Sequence, residues 1–182
     1  MRHLLRFPSG LLLTVVLAAT VTAAGLEGTK APEFKLRTAD GGSYSLSDAL
    51  ENGGPVLLDF WATWCVPCRR ALPLMADLHE KYQDRGFTLL AISVDNTRSV
   101  GKVRPYIRSQ KFDFPVLLDT DNEVLKRYRG TNVPHAVLIA PDGTVSKVWI
   151  GYHPGEEKQI EEAILRLLPE AGVEEQKAGG EE

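Results

Sequence analysis

The chain contains two cysteines, and they stand three residues apart in the motif Trp64-Cys65-Val66-Pro67-Cys68. The motif follows an apolar run, residues 56–61, that is typical of a strand buried on both faces, and it precedes a helical pattern. On a helix, residues i and i+3 share a face, so the two sulfur atoms can come within disulfide distance. A bond across so short a ring constrains the unfolded chain very little. The motif therefore indicates a disulfide that is made and broken in function, beside a central strand.

The order of the remaining patterns predicts an α/β fold with a mixed sheet flanked by helices. Strands that alternate with helices, followed by an antiparallel hairpin and a last helix, favour this architecture. The turn signal Asp40-Gly41-Gly42 predicts an N-terminal hairpin, and Ser47 is expected to cap a short helical turn after it. Further strands are predicted at residues 56–61, 87–94, 115–118, 136–140 and 145–150, and helices at 67–85 with a kink at Pro73, 96–111, 121–128 and 156–168.

The two ends of the chain differ in composition from the middle. Basic residues, an apolar stretch at 11–19 and small residues at 22–24 form a signal-peptide pattern. We predict a cleaved signal peptide over residues 1–24, a linker over 25–30, a single domain over 31–168 and a disordered acidic tail over 169–182. Export would place the protein in the periplasm or another extracytoplasmic compartment, where disulfides persist. The alternative is a retained N-terminal membrane anchor.

Net charge excludes one class of partner. The formal net charge is −3, and the basic residues form no concentrated run. Nucleic-acid binding requires a strongly basic face, so we expect no nucleic-acid partner.

The positions of the two cysteines predict different roles. Cys65 is expected at the first turn of the helix that contains Pro67, where free N–H groups and the helix dipole stabilise a thiolate. It is therefore the predicted nucleophile, and Cys68, one turn further in, is predicted to resolve the mixed disulfide. The alternative is half of a zinc site, but four ligands are needed and the histidines are scattered. We expect no metal and no cofactor other than the Cys65–Cys68 disulfide.

Asp59 is a lone acid inside the apolar run. If it is buried, desolvation raises its pKa toward neutrality, and the carboxyl group can then take the proton of Cys68. The alternative is a hydrated acid at the end of the strand, or one paired with a lysine.

Several weaker candidates surround the motif. Trp64 is expected to be an exposed contact platform. His135 either tunes the thiolate as a nearby titratable group or lies exposed in a loop. Pro134 precedes a predicted strand, and the sequence alone favours an ordinary trans peptide bond there.

Three segments resemble the thioredoxin superfamily, and in particular its TlpA/ResA-like exported thiol–disulfide oxidoreductases. They are residues 31–34, residues 58–68, and Val133-Pro134 ahead of a strand that ends in Pro141-Asp142-Gly143. The resemblance implies a three-layer thioredoxin-like fold with a central insertion at about residues 95–130. It also implies that Pro134 is cis and faces the disulfide, and that Val133 offers its backbone to a substrate strand. On this basis we expect six substrate-binding residues: Trp64, Val66, Pro67, Val133, Pro134 and His135.

The chain also departs from this family. Many relatives carry asparagine at the position of Asp59 and glutamate at the position of Ala71, and threonine usually follows the cis-proline where this chain has His135. If the site needs an acid, Asp59 must supply it alone.

Together these features predict an exported enzyme that reduces disulfides of partner proteins through Cys65 and Cys68. The resemblance implies clients in cytochrome c maturation or copper delivery and a membrane-embedded thiol reductant, and we expect a monomer. Two alternatives stay open: a thiol peroxidase, and a metal or haem chaperone that uses the cysteine pair.

Overall fold

The computed structural model describes residues 25–169, so the predicted signal peptide and nearly all of the acidic tail lie outside the described residues. Within this range, seven strands form one mixed sheet in the order β2-β1-β5-β4-β3-β6-β7. The strands are β1 (Lys35–Thr38), β2 (Ser43–Ser45), β3 (Val56–Trp61), β4 (Thr88–Ser93), β5 (Val116–Leu118), β6 (His135–Ile139) and β7 (Val145–Ile150). The helices are α1 (Leu46–Leu50), α2 (Val66–Tyr82), α3 (Val103–Gln110), α4 (Glu123–Arg127) and α5 (Glu156–Leu167), with short 3₁₀ turns at Gln83–Arg85 and Val100–Lys102.

The centre of the sheet is the parallel set β5, β4 and β3, and β6 runs antiparallel to β3. All six residues of β3 and all six of β4 are buried, as the continuous apolar runs predict. The central insertion contributes α3, β5 and α4, so it adds a strand between the N-terminal hairpin and β4. The predicted mixed α/β sheet with flanking helices is therefore confirmed.

Helices cover both faces of the sheet. On one face, Trp61 of β3 packs against Tyr106 of α3 with ring centroids 5.3 Å apart. On the other face, Phe60 packs against Tyr128, which follows α4, at 5.9 Å. Because successive side chains of a strand point to opposite faces, Asp59 shares the face of Trp61. No helix within residues 25–169 is long and apolar enough to cross a membrane.

Two local predictions were wrong. Ser45, not Ser47, caps α1: its hydroxyl accepts from the Asp48 N–H at 3.2 Å, and the Asp48 carboxylate accepts from the Ser45 N–H at 2.8 Å. This reciprocal capping box provides acceptors for the backbone N–H groups of Ser45 and Asp48. A cap at Ser47 would leave these two donors without these partners.

The helix predicted over 96–111 is shorter, because α3 begins only at Val103. The Asn96 side chain accepts from the Arg98 N–H at 2.9 Å, which closes a turn in place of a helix. Pro105 then falls in the first turn of α3, where its missing N–H leaves no hydrogen bond unmade.

The segment expected as a linker, residues 25–30, packs along the outer edge of β7. The Gly28 N–H donates to the Val145 carbonyl at 2.8 Å, and the Val148 N–H donates to the Glu27 carboxylate at 2.9 Å. These bonds satisfy backbone groups of an edge strand that would otherwise be exposed.

Replacement of Gly54 tests a close backbone contact between the segment before β3 and the segment before β4. A Cβ atom at Gly54 would lie 2.5 Å from the carbonyl of Gly86, so Gly54→Ala must displace backbone. We expect a loss of about 3 kcal/mol in the free energy of unfolding, the upper end for overpacked sites. Gly101→Ala, where no atom lies within 4 Å of the added Cβ, is the matched control. Equal urea midpoints for the two variants would contradict the prediction.

Candidate active site

The two cysteines lie at the start of α2 and form a disulfide. Cys65 is the N-cap residue, Pro67 lies in the first turn, and the two Cα atoms are 5.3 Å apart. The Cys68 N–H donates to Cys65 Sγ at 3.2 Å. When the bond is reduced, this donor and the helix dipole favour a thiolate at Cys65, which is the chemistry predicted for it.

The disulfide is nearly buried, but the residues beside it are exposed. Cys65 is 5% exposed and Cys68 is 1% exposed, whereas Trp64 is 62% and Val66 49% exposed. Pro67 is also exposed. Exposed large apolar side chains at a reactive site are typical of surfaces that contact other proteins.

A distant segment of the chain reaches the disulfide. The Val133–Pro134 peptide bond is cis, and the Val133 carbonyl oxygen lies 3.7 Å from Cys65 Sγ. Pro134 directly precedes β6, which pairs with β3, and its own carbonyl accepts from the Gly151 N–H at 2.9 Å. The pairing of β6 with β3 therefore places Val133 and Pro134 beside the cysteines, although more than sixty residues separate them in sequence.

Asp59 lies in the middle of the sheet, between Ala91 of β4 and Ala136 of β6. It is 4% exposed, and burial raises its pKa to about 7. The expectation of a buried acid is confirmed. Asp59 is not a hydrated acid at a strand end, and it forms no ion pair with a lysine within residues 25–169. A carboxyl group with this pKa can accept or release a proton near neutral pH.

Asp95 holds the loop that leads to Cys65, and sequence reasoning missed it. It is fully buried after β4. Its carboxylate accepts from the Thr63 N–H at 2.8 Å, the Thr63 hydroxyl at 2.7 Å and the Ser93 hydroxyl at 2.9 Å. Thr63 lies two residues before Cys65, so these bonds fix the start of the redox motif. The sequence does contain a signal for this residue, because Asp95 is an acid that directly follows the second buried apolar run.

His135 is buried, so of its two predicted alternatives the exposed loop residue is wrong. It belongs to β6 and is 2% exposed, and its ring centroid lies 5.8 Å from that of Phe60. Its Nε2 atom lies 3.1 Å from the Tyr128 carbonyl oxygen, and burial lowers its pKa. Because Phe60 points away from the face of Asp59, the ring lies on the other side of the sheet. An effect of His135 on the thiolate stays a prediction.

Comparison with known proteins agrees with this geometry. Residues 28–148 match the model of the AhpC/TSA family. The chain is 38% identical over 125 residues to the thiol-disulfide oxidoreductase ResA of Bacillus subtilis, covering 69% of this chain and 68% of that protein. It is 32% identical over 142 residues to the ResA of a Bacillus thuringiensis strain, covering 78% of this chain and 79% of that protein.

Solved structures give the same result. A protein from Chlorobium tepidum assigned as the thiol:disulfide interchange protein DsbE superposes with a TM-score of 0.72 at 31% identity, covering 80% of this chain and all of that one. A second C. tepidum structure, a thiol:disulfide interchange protein of the thioredoxin family, superposes with a TM-score of 0.67 at 28% identity. The match covers 80% of this chain and 100% of that one. The chain therefore belongs to the AhpC/TSA family of the thioredoxin superfamily and is a thiol–disulfide oxidoreductase.

The raised pKa of Asp59 predicts a pH-dependent effect of Asp59→Asn on stability. Between about pH 4 and pH 7 the folded protein retains a proton that the unfolded chain releases, so wild-type stability falls as the pH rises through this window. The variant lacks this loss. We expect equal free energies of unfolding near pH 3.5, and above pH 8 a variant more stable by at most roughly 4 kcal/mol. Urea titrations across this range measure the difference. Asp77→Asn, at an exposed site on α2, should show no such divergence, and parallel curves for Asp59→Asn and wild type would refute the burial argument.

The Asp95 contacts predict the cost of altering Thr63. Thr63→Val keeps the shape but deletes the hydroxyl donor, and loss of a hydrogen bond to a charged group costs about 2 kcal/mol. Thr63→Ser keeps the donor and should cost less than about 1 kcal/mol. Urea unfolding of both oxidised variants makes the comparison. Equal losses would show that the hydroxyl contact has no role.

Proposed function

We propose that this protein is a reductant of disulfides in client proteins outside the cytoplasm. The observation that carries the proposal is Asp59, a buried acid with a pKa of about 7 on the strand that leads into the Cys65–Cys68 motif. A reductant must deprotonate its second thiol to release each client, and a carboxyl group with this pKa can accept that proton near neutral pH.

The first step uses Cys65. Its thiolate attacks one sulfur of a client disulfide, the client S–S bond breaks, and the other client sulfur leaves as a thiolate. Trp64, Val66 and Pro67 supply the apolar surface for the client. The backbone of Val133, beside Cys65 Sγ, is positioned to bind an extended client segment.

The second step uses Cys68 and Asp59. Asp59 accepts the Cys68 proton, and the Cys68 thiolate attacks Cys65 Sγ, which expels the reduced client and re-forms the Cys65–Cys68 disulfide. The client gains two electrons and this protein loses two. A thiol reductant embedded in the membrane must then return the pair to the reduced state.

The proposed location and clients rest on the sequence and on the relatives. The N-terminal 24 residues carry the signal-peptide pattern, which supports a periplasmic or other extracytoplasmic location, with a retained membrane anchor as the alternative. Resemblance to TlpA/ResA-like proteins supports clients in cytochrome c maturation or copper delivery. We further propose that the protein acts as a monomer.

The match to the AhpC/TSA model keeps thiol peroxidase as a second candidate. A peroxidase of this superfamily relies on a lone reactive cysteine, whereas here both cysteines are joined in one motif. Rapid consumption of hydrogen peroxide by the reduced protein would favour this candidate. For a metal chaperone, residues 25–169 offer no group of three or more His, Cys, Asp or Glu side chains arranged around one ion.

Single cysteine variants test the proposed reductase. We expect Cys65→Ser to lower insulin reduction to background, because the attacking thiolate is lost. Cys68→Ser should instead accumulate a mixed disulfide with the client, because no thiol remains to resolve it. Non-reducing electrophoresis and insulin turbidity provide the two readouts, and the double variant Cys65→Ser/Cys68→Ser sets the background. Full activity of Cys65→Ser would refute the proposal.

A further inference from the structure

A small cavity lies against Asp59 and has two glutamates of α5, Glu156 and Glu157, in its wall. Its volume is about 20 Å³, and Asp59, Ala71, Pro134 and Glu157 are among the residues that line it. Ala71 follows Cys68 by three residues, so both lie on the same face of α2. The cavity is therefore placed between the strand of Asp59, the cysteine helix and the first turn of α5.

Glu157 is half-buried, and one of its carboxylate oxygens is buried while part of the residue is exposed. Its Oε2 atom is buried and accepts no hydrogen bond from any residue between 25 and 169, while another part of the residue is exposed. A buried carboxylate oxygen without a donor is unfavourable by about 1–3 kcal/mol or more, and such atoms are rare in folded proteins. The cavity has the volume that a single water molecule needs. A water there can donate hydrogen bonds to both Glu157 Oε2 and the Asp59 carboxyl group.

Glu156 is the other glutamate at the cavity, and among the described residues it differs from Glu157 in having no buried oxygen without a hydrogen-bond partner. Tyr152 also lines the cavity, and none of the described lining residues is a lysine, arginine or histidine. The Cys65–Cys68 disulfide lies at the start of α2, above Ala71. Asp59 itself is almost completely buried, and it lines this cavity together with the partly exposed Glu157, which offers a route for its proton. Glu157 lines this cavity, has a buried carboxylate oxygen that accepts no hydrogen bond from the described residues, and is partly exposed.

We propose that Glu157 is a proton-relay residue that acts through Asp59 and connects the buried redox site to solvent. The proposal rests on the proposed function and extends its second step. Glu157 does not touch the reacting sulfur atoms, so its role is to position a water and pass a proton, while Asp59 performs the direct transfer. Ala71 supplies no acid on α2, and Glu157 brings a carboxylate to the same cavity from α5.

During client release, the proton of the Cys68 thiol passes to Asp59, then through the cavity to Glu157, and from Glu157 to bulk water. During reduction of the Cys65–Cys68 disulfide, the reductant thiolate binds to Cys65 and Cys68 leaves as a thiolate. Asp59 then protonates Cys68 and regains its proton from solvent by the reverse route. No other oxidant or reductant is needed for the relay.

The test is stopped-flow reduction of the full chain by dithiothreitol, with tryptophan fluorescence as the signal. We expect Glu157→Gln to slow the reaction roughly tenfold, less than the about 10²–10⁴-fold contribution of a direct proton-transfer group, because it acts through Asp59. Increasing formate or acetate buffer should restore the rate of this variant, because a small acid can deliver protons in place of Glu157. Glu157→Asp, which keeps the carboxylate, should retain most of the wild-type rate. Glu162→Gln, an exposed acid on the same helix, is the matched control and should behave as wild type.

A double variant separates the relay from a structural role. In an Asp59→Asn background, Glu157→Gln should have no further effect, since the relay has no acceptor left to serve. The proposal is overturned if Glu157→Gln matches Glu162→Gln, if its rate does not respond to buffer, or if the two substitutions act additively. Dithiothreitol takes the place of the thiol reductant, so this assay needs no client. Inactivity of the wild type toward insulin would therefore refute the proposed function, while buffer rescue would still decide the role of Glu157.

Discussion

The pairing of β3 with its two neighbours organises the whole active site. β4 binds one edge of β3 and β6 binds the other, and both faces are covered, so every residue of β3 is buried. The end of this strand leads directly into the cysteine motif, its centre holds Asp59, and β6 brings Pro134 to the disulfide. One buried strand thus determines the position of the cysteine pair, of Asp59 and of the cis peptide bond, to which we assign the nucleophile, the proton acceptor and the client contact.

The site combines two buried acids with different surroundings. Asp95 accepts three hydrogen bonds within the redox loop, which compensate for the water it has lost. Burial is the cause of the raised pKa of Asp59. The first arrangement rigidifies the loop before Cys65, and the second leaves an acid that can exchange a proton near neutral pH. Hydrogen bonds therefore compensate for burial at Asp95, whereas burial raises the pKa of Asp59.

The sequence was sufficient for the parts of the site that depend on local patterns. The buried run at β3, the cysteine spacing and Pro67 predicted the strand, the helix start and the burial of Asp59. Packing between distant segments could not be predicted in this way. The burial of His135 depends on contacts with Phe60 and Tyr128. The buried, unpaired Oε2 atom of Glu157 depends on how α5 packs near Asp59. The prediction of Ser47 as the cap of α1 was a local error. Ser45 is the cap, and both serines fit the same composition rule.

The reduction potential of the Cys65–Cys68 pair tests the central claim most directly. It can be measured by equilibrating the full chain with glutathione buffers, where 30 mV corresponds to about 1.4 kcal/mol for a two-electron couple. A dedicated reductant is expected to lie near or below the roughly −270 mV of thioredoxin. A value near roughly −120 mV, that of a strong oxidant, would contradict the account and indicate a donor of disulfides instead.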